Sequence, residues 1–588
     1  MSPTPRDELL EPLRRVLAWQ LSLRDGEGRI LCPEHRVEHT GKSAYTALLA
    51  AELLRLDPGA DGDALFAAAL QQGRRLVANL VREGTSPCHT FRPGRHDPFN
   101  CSNSVIDGGA CSDALASLVQ LLGDRLEAPD REAFAAASLL HARTYLRYAV
   151  LDKGVPAQRA WGLTGLAGAW TLEPDDVLER SALEAVGMLE AIQHPDGSYP
   201  YHPLDWGAGH PGASDVSSYY QSRVTAFLLH ALERLGRDPD DGLFRPPLRR
   251  GLDFVCALQG PDGTKCGLVE AKPWYWGATY EVASHPFDVF ALATGWRHYR
   301  EPRYGHAALA AFRAWARHLD EDGRPRSHLP GPGRGRSYQC PLFWAAHAVW
   351  LARAAPDLER ILDLPAQILP TPGAIDLSVQ WYPGASLARI EDGRVVAWVR
   401  GSRPGCNVHH GSPHGAGLLA AVSRPGGEPL ITRCRLGGHQ EGEWKGLRGL
   451  PSPRRGLRAG GAELRFSLWL SRTHGRAGRR RDALLTPLRV FRRGVLAFGH
   501  PRVGSPFHLS PEVRVLADGV VLQSALAHRD GEPVPGSSIE RSFRVDGEGL
   551  EVRERVLADG EARRIEYSVP QRAVDLHRGE REVSYRLA

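Results

Sequence analysis

The chain lacks the cysteine pattern of a disulfide framework. Its nine cysteines are odd in number and scattered, and no Cys-x-x-Cys pair occurs among them. Disulfide-stapled secreted domains carry paired cysteines at regular spacings. The cysteines therefore favour reduced thiols, and we expect a cytoplasmic protein.

Targeting and membrane-spanning segments are missing as well. The N-terminal stretch Met1–Arg15 has no apolar segment behind a basic start, so it does not resemble a signal peptide. No uninterrupted apolar run approaches the about 18 residues that a membrane helix needs. We expect neither a secreted protein nor one with a membrane among its partners.

Acidic and basic residues nearly balance over the 588 residues, with a net charge of +5, but they are unevenly distributed. Residues 431–500 hold sixteen Lys/Arg against four Asp/Glu, a surplus of twelve, which leaves about −7 for the rest of the chain. Such a basic stripe suits a polyanion, either an acidic polysaccharide or a nucleic acid. A solvated loop at Arg476–Arg481 explains part of it. No nucleic-acid-binding motif accompanies the stripe, so we expect no nucleic acid partner.

Helical periodicity dominates residues 1–365, which are rich in Ala, Leu and Arg. The pattern predicts about twelve helices, or six hairpins. They are Asp7–Leu23, Ser43–Leu56, Asp63–Arg82, Cys111–Leu122, Arg131–Tyr148, Gln158–Trp170, Ser181–Ile192, Tyr219–Leu235, Pro247–Leu258, Pro286–Tyr299, Gly305–Leu319 and Tyr338–Ala354.

A repeated turn supports this organisation. Four segments share a helix end, an Asp-Gly turn, a polar loop and a new apolar helix; the turns are Asp25-Gly26, Asp196-Gly197, Asp262-Gly263 and Asp322-Gly323. Glycine supplies the left-handed conformation that closes a helix, and such self-similarity indicates stacked helical pairs. The pairs would stay open as a solenoid or close into an (α/α)6-like toroid. In a closed ring the long loops meet on one face, where their aromatic residues would line a saccharide groove or simply plug the ring.

The helical pattern ends at Pro365–Gly373, a proline-rich linker, and period-two strands follow in residues 374–588. The predicted strands are Leu387–Ile390, Val395–Arg400, Leu464–Ser471, Arg489–Phe498, Val513–Leu522, Ile539–Val545 and Leu550–Val556. With Asp-Gly turns between several of them, this segment predicts a large antiparallel β-sandwich. The fold class is therefore α+β with two domains, 1–365 and 374–588.

A glycine-rich loop in the second domain, Asn407–Gly417, carries three histidines within six residues. Clustered histidines bind a metal such as zinc, neutralise a substrate carboxylate, or move protons. His414 is a candidate metal ligand with His439 as a second one from elsewhere. No cofactor is otherwise required.

Tyr219, Tyr220 and Arg223 form a Tyr-Tyr-x-x-Arg cluster at the start of a predicted helix. Arg223 lies one turn along the same helix face, so its charge would favour ionisation of a neighbouring phenol. The cluster is therefore either a proton-transfer site or a pair of packing tyrosines.

Three stretches, with the order of the two domains, resemble heparinase II/III-type polysaccharide lyases. They are the Asp196–Tyr199 turn leading to the two tyrosines, the run Tyr382–Arg400 that opens the second domain, and the loop His409–Gly417. In architecture the resemblance covers nearly the whole chain, although its motifs are short. It implies β-elimination at a uronic acid in an acidic polysaccharide.

That chemistry needs a base for the C5 proton, an acid for the leaving oxygen, and a group that neutralises the carboxylate. The resemblance assigns the base and acid to Tyr219 or Tyr220 and the supporting cation to Arg223. Similar lyases place Asn or His at the neutralising position, whereas this chain has Gln158 there, beside Arg159 as a substrate-binding charge. Asn103 is a second amide candidate.

Further site residues come from the loops. His410, in the histidine loop that carries part of the resemblance, is a catalytic candidate, and Ala416 stands where similar proteins often have an Asp beside the histidines. The remaining substrate-binding candidates are His210, Trp206, Trp276 and His409.

Two other classes of function remain open. A uronyl C5-epimerase or a glycoside hydrolase would use the same scaffold, and a hydrolase would need two carboxylates flanking the bond. Available carboxylates, which form no recognisable pair in the sequence, are Asp196, Asp215, Asp262, Glu281 and Asp288. The third possibility is a non-catalytic polysaccharide-binding protein.

Overall fold

A computed structural model describes the chain in segments. The described residues are 5–33, 38–59, 61–80, 101–152, 154–201, 216–268, 280–281, 283–326, 341–364, 377–401, 417–424, 426–431, 441–446, 453–473, 486–491, 494–495, 503–505, 508, 511–528, 532–558 and 565–588.

Helices dominate the first part of the chain. Within the described residues the α-helices are α1 (Pro5–Ser22), α2 (Thr40–Leu56), α3 (Gly62–Ala78), α4 (Cys101–Leu122), α5 (Ala128–His141), α6 (Arg147–Asp152), α7 (Pro156–Trp170), α8 (Asp176–Ile192), α9 (Ser218–Arg234), α10 (Arg245–Ala257), α11 (His285–Tyr299), α12 (Pro302–Ala316), α13 (Pro341–Ala346), α14 (Ala348–Leu362) and α15 (Pro453–Thr473).

The helices before residue 365 form two concentric rings. The inner ring runs α2, α4, α7, α9, α11 and α14, and it closes because α14 packs on α2. The outer helices α1, α3, α5, α8, α10 and α12 cover it, and α1 closes the outer layer against α14. The chain therefore forms the closed toroid of hairpins, and an open solenoid is wrong.

Burial explains which helices are inside. Nearly every residue of α2 from Thr40 to Leu54 is buried, as expected for a helix surrounded by neighbours. The outer helix α8 buries one face only, and Asp175 caps its start by accepting hydrogen bonds from the backbone N–H groups of Val177 and Leu178. Among the described residues one stretch, Val105–Arg125, is long and apolar enough to cross a membrane, but most of it is buried as part of the inner ring.

The repeated turns share one hydrogen-bonding pattern. In the last three turns, the residue two positions before the Asp donates its backbone N–H to the carbonyl four residues further on, as from His194 to Ser198. The glycine of each of these turns has a φ between 84° and 89°. In the first repeat the equivalent bond runs from Asp25 to Arg29. The left-handed glycine there is Gly28, with a φ of 76°. The predicted assignment of Gly26 to this position is wrong, because the chain reaches the left-handed residue two positions later.

Each turn rests on the following outer helix. A Cβ on Gly197 would lie 2.0 Å from the carbonyl oxygen of Arg250 in α10, and one on Gly263 would lie 2.1 Å from that of Ala310 in α12. A Cβ on Gly323 would lie 2.4 Å from that of Arg15 in α1. The turns therefore set the spacing between successive hairpins and, at Gly323, between the last and the first.

We expect Gly323→Ala to lower the free energy of unfolding by about 2–4 kcal/mol, since it adds left-handed strain to a backbone clash. Gly26→Ala is the matched control, because no atom lies within 4 Å of its Cβ position, and a change within about 1 kcal/mol is expected. Urea unfolding followed by helical circular dichroism measures both. Equal losses of unfolding free energy in the two variants would contradict the assignment of the left-handed, closely packed position to Gly323 and not to Gly26.

Antiparallel strands make up most of the remainder. Their bounds are β1 (Lys265–Cys266), β2 (Tyr280–Glu281), β3 (Ser378–Tyr382), β4 (Leu387–Glu391), β5 (Val395–Arg400), β6 (Gly417–Ser423), β7 (Glu443–Gly446), β8 (Val503–Gly504), β9 (Glu512–Val515), β10 (Gly519–Ser524), β11 (Ala527–His528), β12 (Ser537–Val545), β13 (Leu550–Ala558), β14 (Ile565–Ser568), β15 (Val574–Arg578) and β16 (Glu582–Leu587).

Beyond the β1–β2 pair within the helical part, the described strands form three sheets. Their orders are β3-β4-β5-β6, β11-β8-β7-β14 and β15-β16-β13-β12-β10-β9. Side chains from all three contribute to one apolar core, among them Val399, Trp444 and Phe543. The α+β class is confirmed, while a sandwich of two sheets stays a prediction.

Two predicted strands are wrong. Leu464–Ser471 belongs to helix α15, and in Arg489–Phe498 the described residues 489–491 and 494–495 are helical. Leu457, Leu464 and Leu468 recur at intervals of seven and four residues, which is the helical period. The predicted strand Val513–Leu522 is divided into β9 and β10 by a turn at Asp518.

The helical ring and the strands share a packed interface. Phe254, Tyr382 and Trp398 are members of one buried apolar cluster, and the Trp398 indole N–H donates to the carbonyl of Ala257 at 2.8 Å. The Asp196 carboxylate accepts the backbone N–H of Gly384 at 2.6 Å. The predicted linker 365–373 lies outside the described residues.

Candidate functional site

The six inner helices begin at one end of the ring. Successive helices in a hairpin array run in opposite directions, so the inner ones run parallel. We call the first turns of α2, α4, α7, α9, α11 and α14 the ring mouth. Helix N-termini carry partial positive charge, so this end of the ring favours anions.

Arg223 lies in the second turn of α9, next to the ring mouth, and has no exposed surface. Its guanidinium carbon is 3.1 Å from the centre of the Tyr219 ring and 4.6 Å from that of Phe287. One N–H also donates to the Tyr219 carbonyl at 3.2 Å. The predicted pairing of Arg223 with a tyrosine is therefore present, but the cation lies against the face of the ring.

The two tyrosines differ in their surroundings. Tyr219 is buried beneath Arg223, whereas Tyr220 is partly exposed. The Tyr220 ring packs against Tyr201, with centres 4.8 Å apart, and meets Tyr219 edge-on at 5.0 Å. Tyr220 is thus the tyrosine that a substrate can reach more easily.

A second cation, Lys42, lies in the first turn of α2 and is almost fully buried. Its ammonium is 3.5 Å from Nε2 of His347 and 5.0 Å from the Trp161 ring centre. Arg223 lies 5.3 Å from the same indole. Trp161 therefore has a cation near it from each of two inner helices, and the Trp161 indole N–H donates to the Tyr45 hydroxyl at 2.8 Å.

Burial lowers the pKa of His347 well below the ordinary 6.5, and the positive charges of Lys42 and Arg223 lower it further. The imidazole is therefore neutral near pH 7 in the folded protein.

The low pKa of His347 predicts a pH dependence of stability. The unfolded chain binds the proton more readily, so stability falls as the pH falls below about 6.5, by up to about 1.4 kcal/mol per unit. We expect His347→Gln to remove this part of the slope, measured as the urea midpoint from about pH 7.5 to about pH 5. His577→Gln, at an exposed position of β15, is the control for the substitution itself. An unchanged slope in His347→Gln would show that its imidazole does not carry this effect.

Deeper in the ring, a polar network joins alternate inner helices. The carboxylate of Asp113 lies 2.8 Å from Nε2 of His230 and 3.1 Å from Nη2 of Arg353. Burial opposes ionisation of Asp113, but His230 and Arg353 together hold the pKa of its carboxyl far below the usual range. The pKa of His230 is lowered, because burial outweighs the carboxylate. This network fills the axis below the ring mouth.

The amide predicted to neutralise a carboxylate, Gln158, is partly exposed in the first turn of α7. It lies three residues before Trp161, on the same helix face. Its neighbour Arg159 is buried, with its guanidinium donating to the carbonyls of Val150 at 2.7 Å and Leu151 at 3.4 Å. These bonds favour a structural role for Arg159 over the predicted contact with substrate.

The other predicted site residues cannot be placed. Asn103 lies in the first turn of α4, but its side chain is outside the described part of the chain. Also outside it are His210, Trp206, Trp276, His409, His410, His414 and His439. Within the residues that are described, no group of three or more His, Cys, Asp or Glu is arranged to hold a metal.

The described carboxylates considered for hydrolysis accept hydrogen bonds from neighbouring residues of the fold. Asp196 accepts from Ser198 and Gly384, and Asp262 accepts from Thr264 and Arg317. Glu281 and Asp288, also satisfied by neighbours, accept from Ser284 and Lys265 respectively. Asp215 lies outside the described residues. The described members therefore form no pair of carboxylates that flanks a substrate.

No protein-family model matches the sequence, and no curated protein matches it. Solved structures with similar folds include a glycosyl hydrolase of family 88 from Bacteroides vulgatus, with a TM-score of 0.43, 14% identity, and coverage of 61% of this chain and 99% of that one. The cellobiose 2-epimerase from Spirochaeta thermophila has a TM-score of 0.44 at 16% identity, covering 61% and 96%. A polysaccharide lyase also has a TM-score of 0.44, at 14% identity, covering 62% and 99%. At these values the similarity carries no conclusion about activity, and membership of the heparinase II/III-type lyases stays a prediction.

Proposed function

We propose that this protein is a polysaccharide lyase that cleaves a uronic-acid-containing polysaccharide by β-elimination at the ring mouth. The observation that carries the proposal is the grouping of Tyr219 and Tyr220 with the cations Arg223 and Lys42 around Trp161. A phenol beside buried positive charge, at an end of the ring that favours anions, suits proton transfer next to a carboxylate.

Tyr220 is the proposed base and acid. Its phenolate takes the C5 proton of the uronic acid, the C4–O4 bond breaks, and a C4–C5 double bond forms. The same phenol then returns the proton to the leaving oxygen. Partial exposure of Tyr220 supports this choice over the buried Tyr219.

The uronate carboxylate becomes more electron-rich as the C5 proton leaves, so positive charge nearby lowers the barrier. Arg223 is fully buried and acts through its field, without touching the sugar. Gln158, partly exposed on the Trp161 face of α7, is the proposed hydrogen-bond donor to the carboxylate. No step in this scheme requires a metal.

The proposal is tested by incubating the protein with a panel of uronic-acid polymers and recording the ultraviolet absorbance of the unsaturated product. We expect absorbance to rise with at least one polymer. New reducing ends without absorbance would identify a hydrolase, and solvent deuterium at C5 without cleavage would identify an epimerase. Binding with none of these changes would leave a non-catalytic polysaccharide-binding protein.

A further inference from the structure

The basic stripe of the sequence coincides with an exposed apolar surface. Helix α15 and the helical residues of 486–495 together form a unit that we call the basic hairpin. Of the thirteen large apolar side chains that are exposed in the described part of the chain, six belong to it: Leu457, Leu464, Leu468, Leu488, Phe491 and Val495.

Helical geometry gathers these side chains on one side. Leu457, Leu464 and Leu468 differ by seven and four residues, so they fall within about 40° of one another around α15. Leu488 and Phe491 are three residues apart within the helical residues 486–491, which places them on one face, and Val495 belongs to the helical residues 494–495. Each helical segment therefore carries one apolar stripe.

Packing turns the stripe of α15 away from the body of the protein. Arg458 and Arg455 approach the Glu532 carboxylate at 3.3 Å and 3.6 Å; around α15, Arg455 lies opposite Leu464 and Arg458 lies about 120° from it. The two segments meet at Gly460, where a Cβ would lie 3.5 Å from the Val490 side chain, about 40° around the helix from Leu464. The leucine stripe therefore borders the contact between the two segments, and Leu457 remains 78% exposed.

Charge accompanies the apolar stripes. The described residues of the basic hairpin include six arginines and one acidic residue, Glu463. Basic residues beside an exposed apolar stripe are the pattern of helices that lie in a membrane interface. Exposing each leucine side chain to water is unfavourable in free energy, and contact with lipid removes that apolar surface from water.

We propose that the basic hairpin binds the surface of an anionic lipid bilayer, with its leucine stripe in the interface and its arginines at the headgroups. A soluble polyanion would satisfy the arginines but would leave the leucines in water, so charge and apolarity together favour lipid. The expectation that no membrane is a partner rested on the lack of a spanning segment, and a surface helix needs none.

The test is flotation of the full-length protein with vesicles of phosphatidylcholine alone or mixed with phosphatidylserine. We expect binding to the mixed vesicles and little to the neutral ones. The triple variant L457S/L464S/L468S should bind the mixed vesicles at least about tenfold more weakly, since it loses most of one apolar stripe.

A matched control replaces three leucines of similar exposure elsewhere, as L377S/L557S/L576S, and should bind as the wild type does. No binding to mixed vesicles would overturn the proposal, and so would equal binding of the two triple variants. Capture of a soluble polyanion such as polyglutamate, with no vesicle binding, would assign the hairpin to a polyelectrolyte instead. Polymer cleavage is measured separately on the same variants, so failure of the lyase proposal is distinguishable from failure of this one.

Discussion

Replacing Tyr220 by phenylalanine is expected to lower kcat for β-elimination by about a hundredfold or more, because the variant loses the group that moves the proton. The substitution keeps the ring that packs against Tyr201, so the fold should be retained. Tyr219→Phe is the matched control on the adjacent residue, and we expect it to stay within about tenfold of the wild type. Initial rates of product absorbance, with circular dichroism as a check on folding, give both values.

The role of Arg223 needs a measurement that packing alone would not change. Without the cation the phenolate form is disfavoured, so the rising limb of the pH–rate profile should shift to higher pH in Arg223→Met. Arg223→Lys keeps the charge and should shift it less. A lower rate with an unshifted profile would mean that Arg223 only supports the Tyr219 ring, and intact elimination in both tyrosine variants would remove the proposed base.

The largest expected effect on stability comes from Lys265. Its ammonium is fully buried and contacts the Asp288 carboxylate at 2.9 Å, the Ser218 carbonyl at 3.1 Å and the Ser284 hydroxyl at 2.8 Å. Lys265→Met would leave Asp288 as an unpaired buried charge, which costs about 3–5 kcal/mol. Because these acceptors lie at the starts of α9 and α11, activity should fall as well.

Two controls separate the buried charge from the loss of a side chain. The double variant K265M/D288L removes both charges and should recover a large part of the stability, since apolar replacement of a whole buried pair is often near neutral. Arg544→Met breaks the exposed pair with Asp518 and should cost less than about 1 kcal/mol. Urea midpoints measure all three, and a double variant no more stable than Lys265→Met would contradict the unpaired-charge explanation.

Local patterns in the sequence located the helices but left open whether the helical pairs form a solenoid or a closed ring. Helical periodicity marks an outer helix such as α8, which buries one face, whereas the inner helix α2 is buried on all sides, and ring closure depends on the packing of α14 on α2. The repeat was harder to align, because Asp25-Gly26 has the same two residue types as the later turns but the left-handed residue is Gly28. Which residue meets the next outer helix depends on a contact that the local sequence does not contain.

The site was predicted only in part. The grouping of Tyr219 with Arg223 followed from a helical spacing of four, but Lys42 and His347 come from distant helices and meet only when the ring closes. Composition offered one signal that was missed. Only five of the 73 basic residues are lysines, and two of them, Lys42 and Lys265, are buried in the ring. An ammonium is compact and fits a small cage of oxygens or ring faces better than the planar guanidinium does.

Helix α15 shows why the strand prediction failed in the basic stripe. Its apolar residues were read as alternating over a short window, whereas over the longer interval from Leu457 to Leu468 they follow the helical period. Short apolar runs fit both periods, and length decides between them.

The polar network of Asp113, His230 and Arg353 has a consequence for how a polymer would meet this protein. It joins the second, fourth and sixth inner helices across the axis, and Trp350 packs against Phe227 and Phe287. Side chains therefore block the axis of the ring. Under the proposed function a polysaccharide would not pass through the ring, and both fragments would leave on the side from which the chain entered.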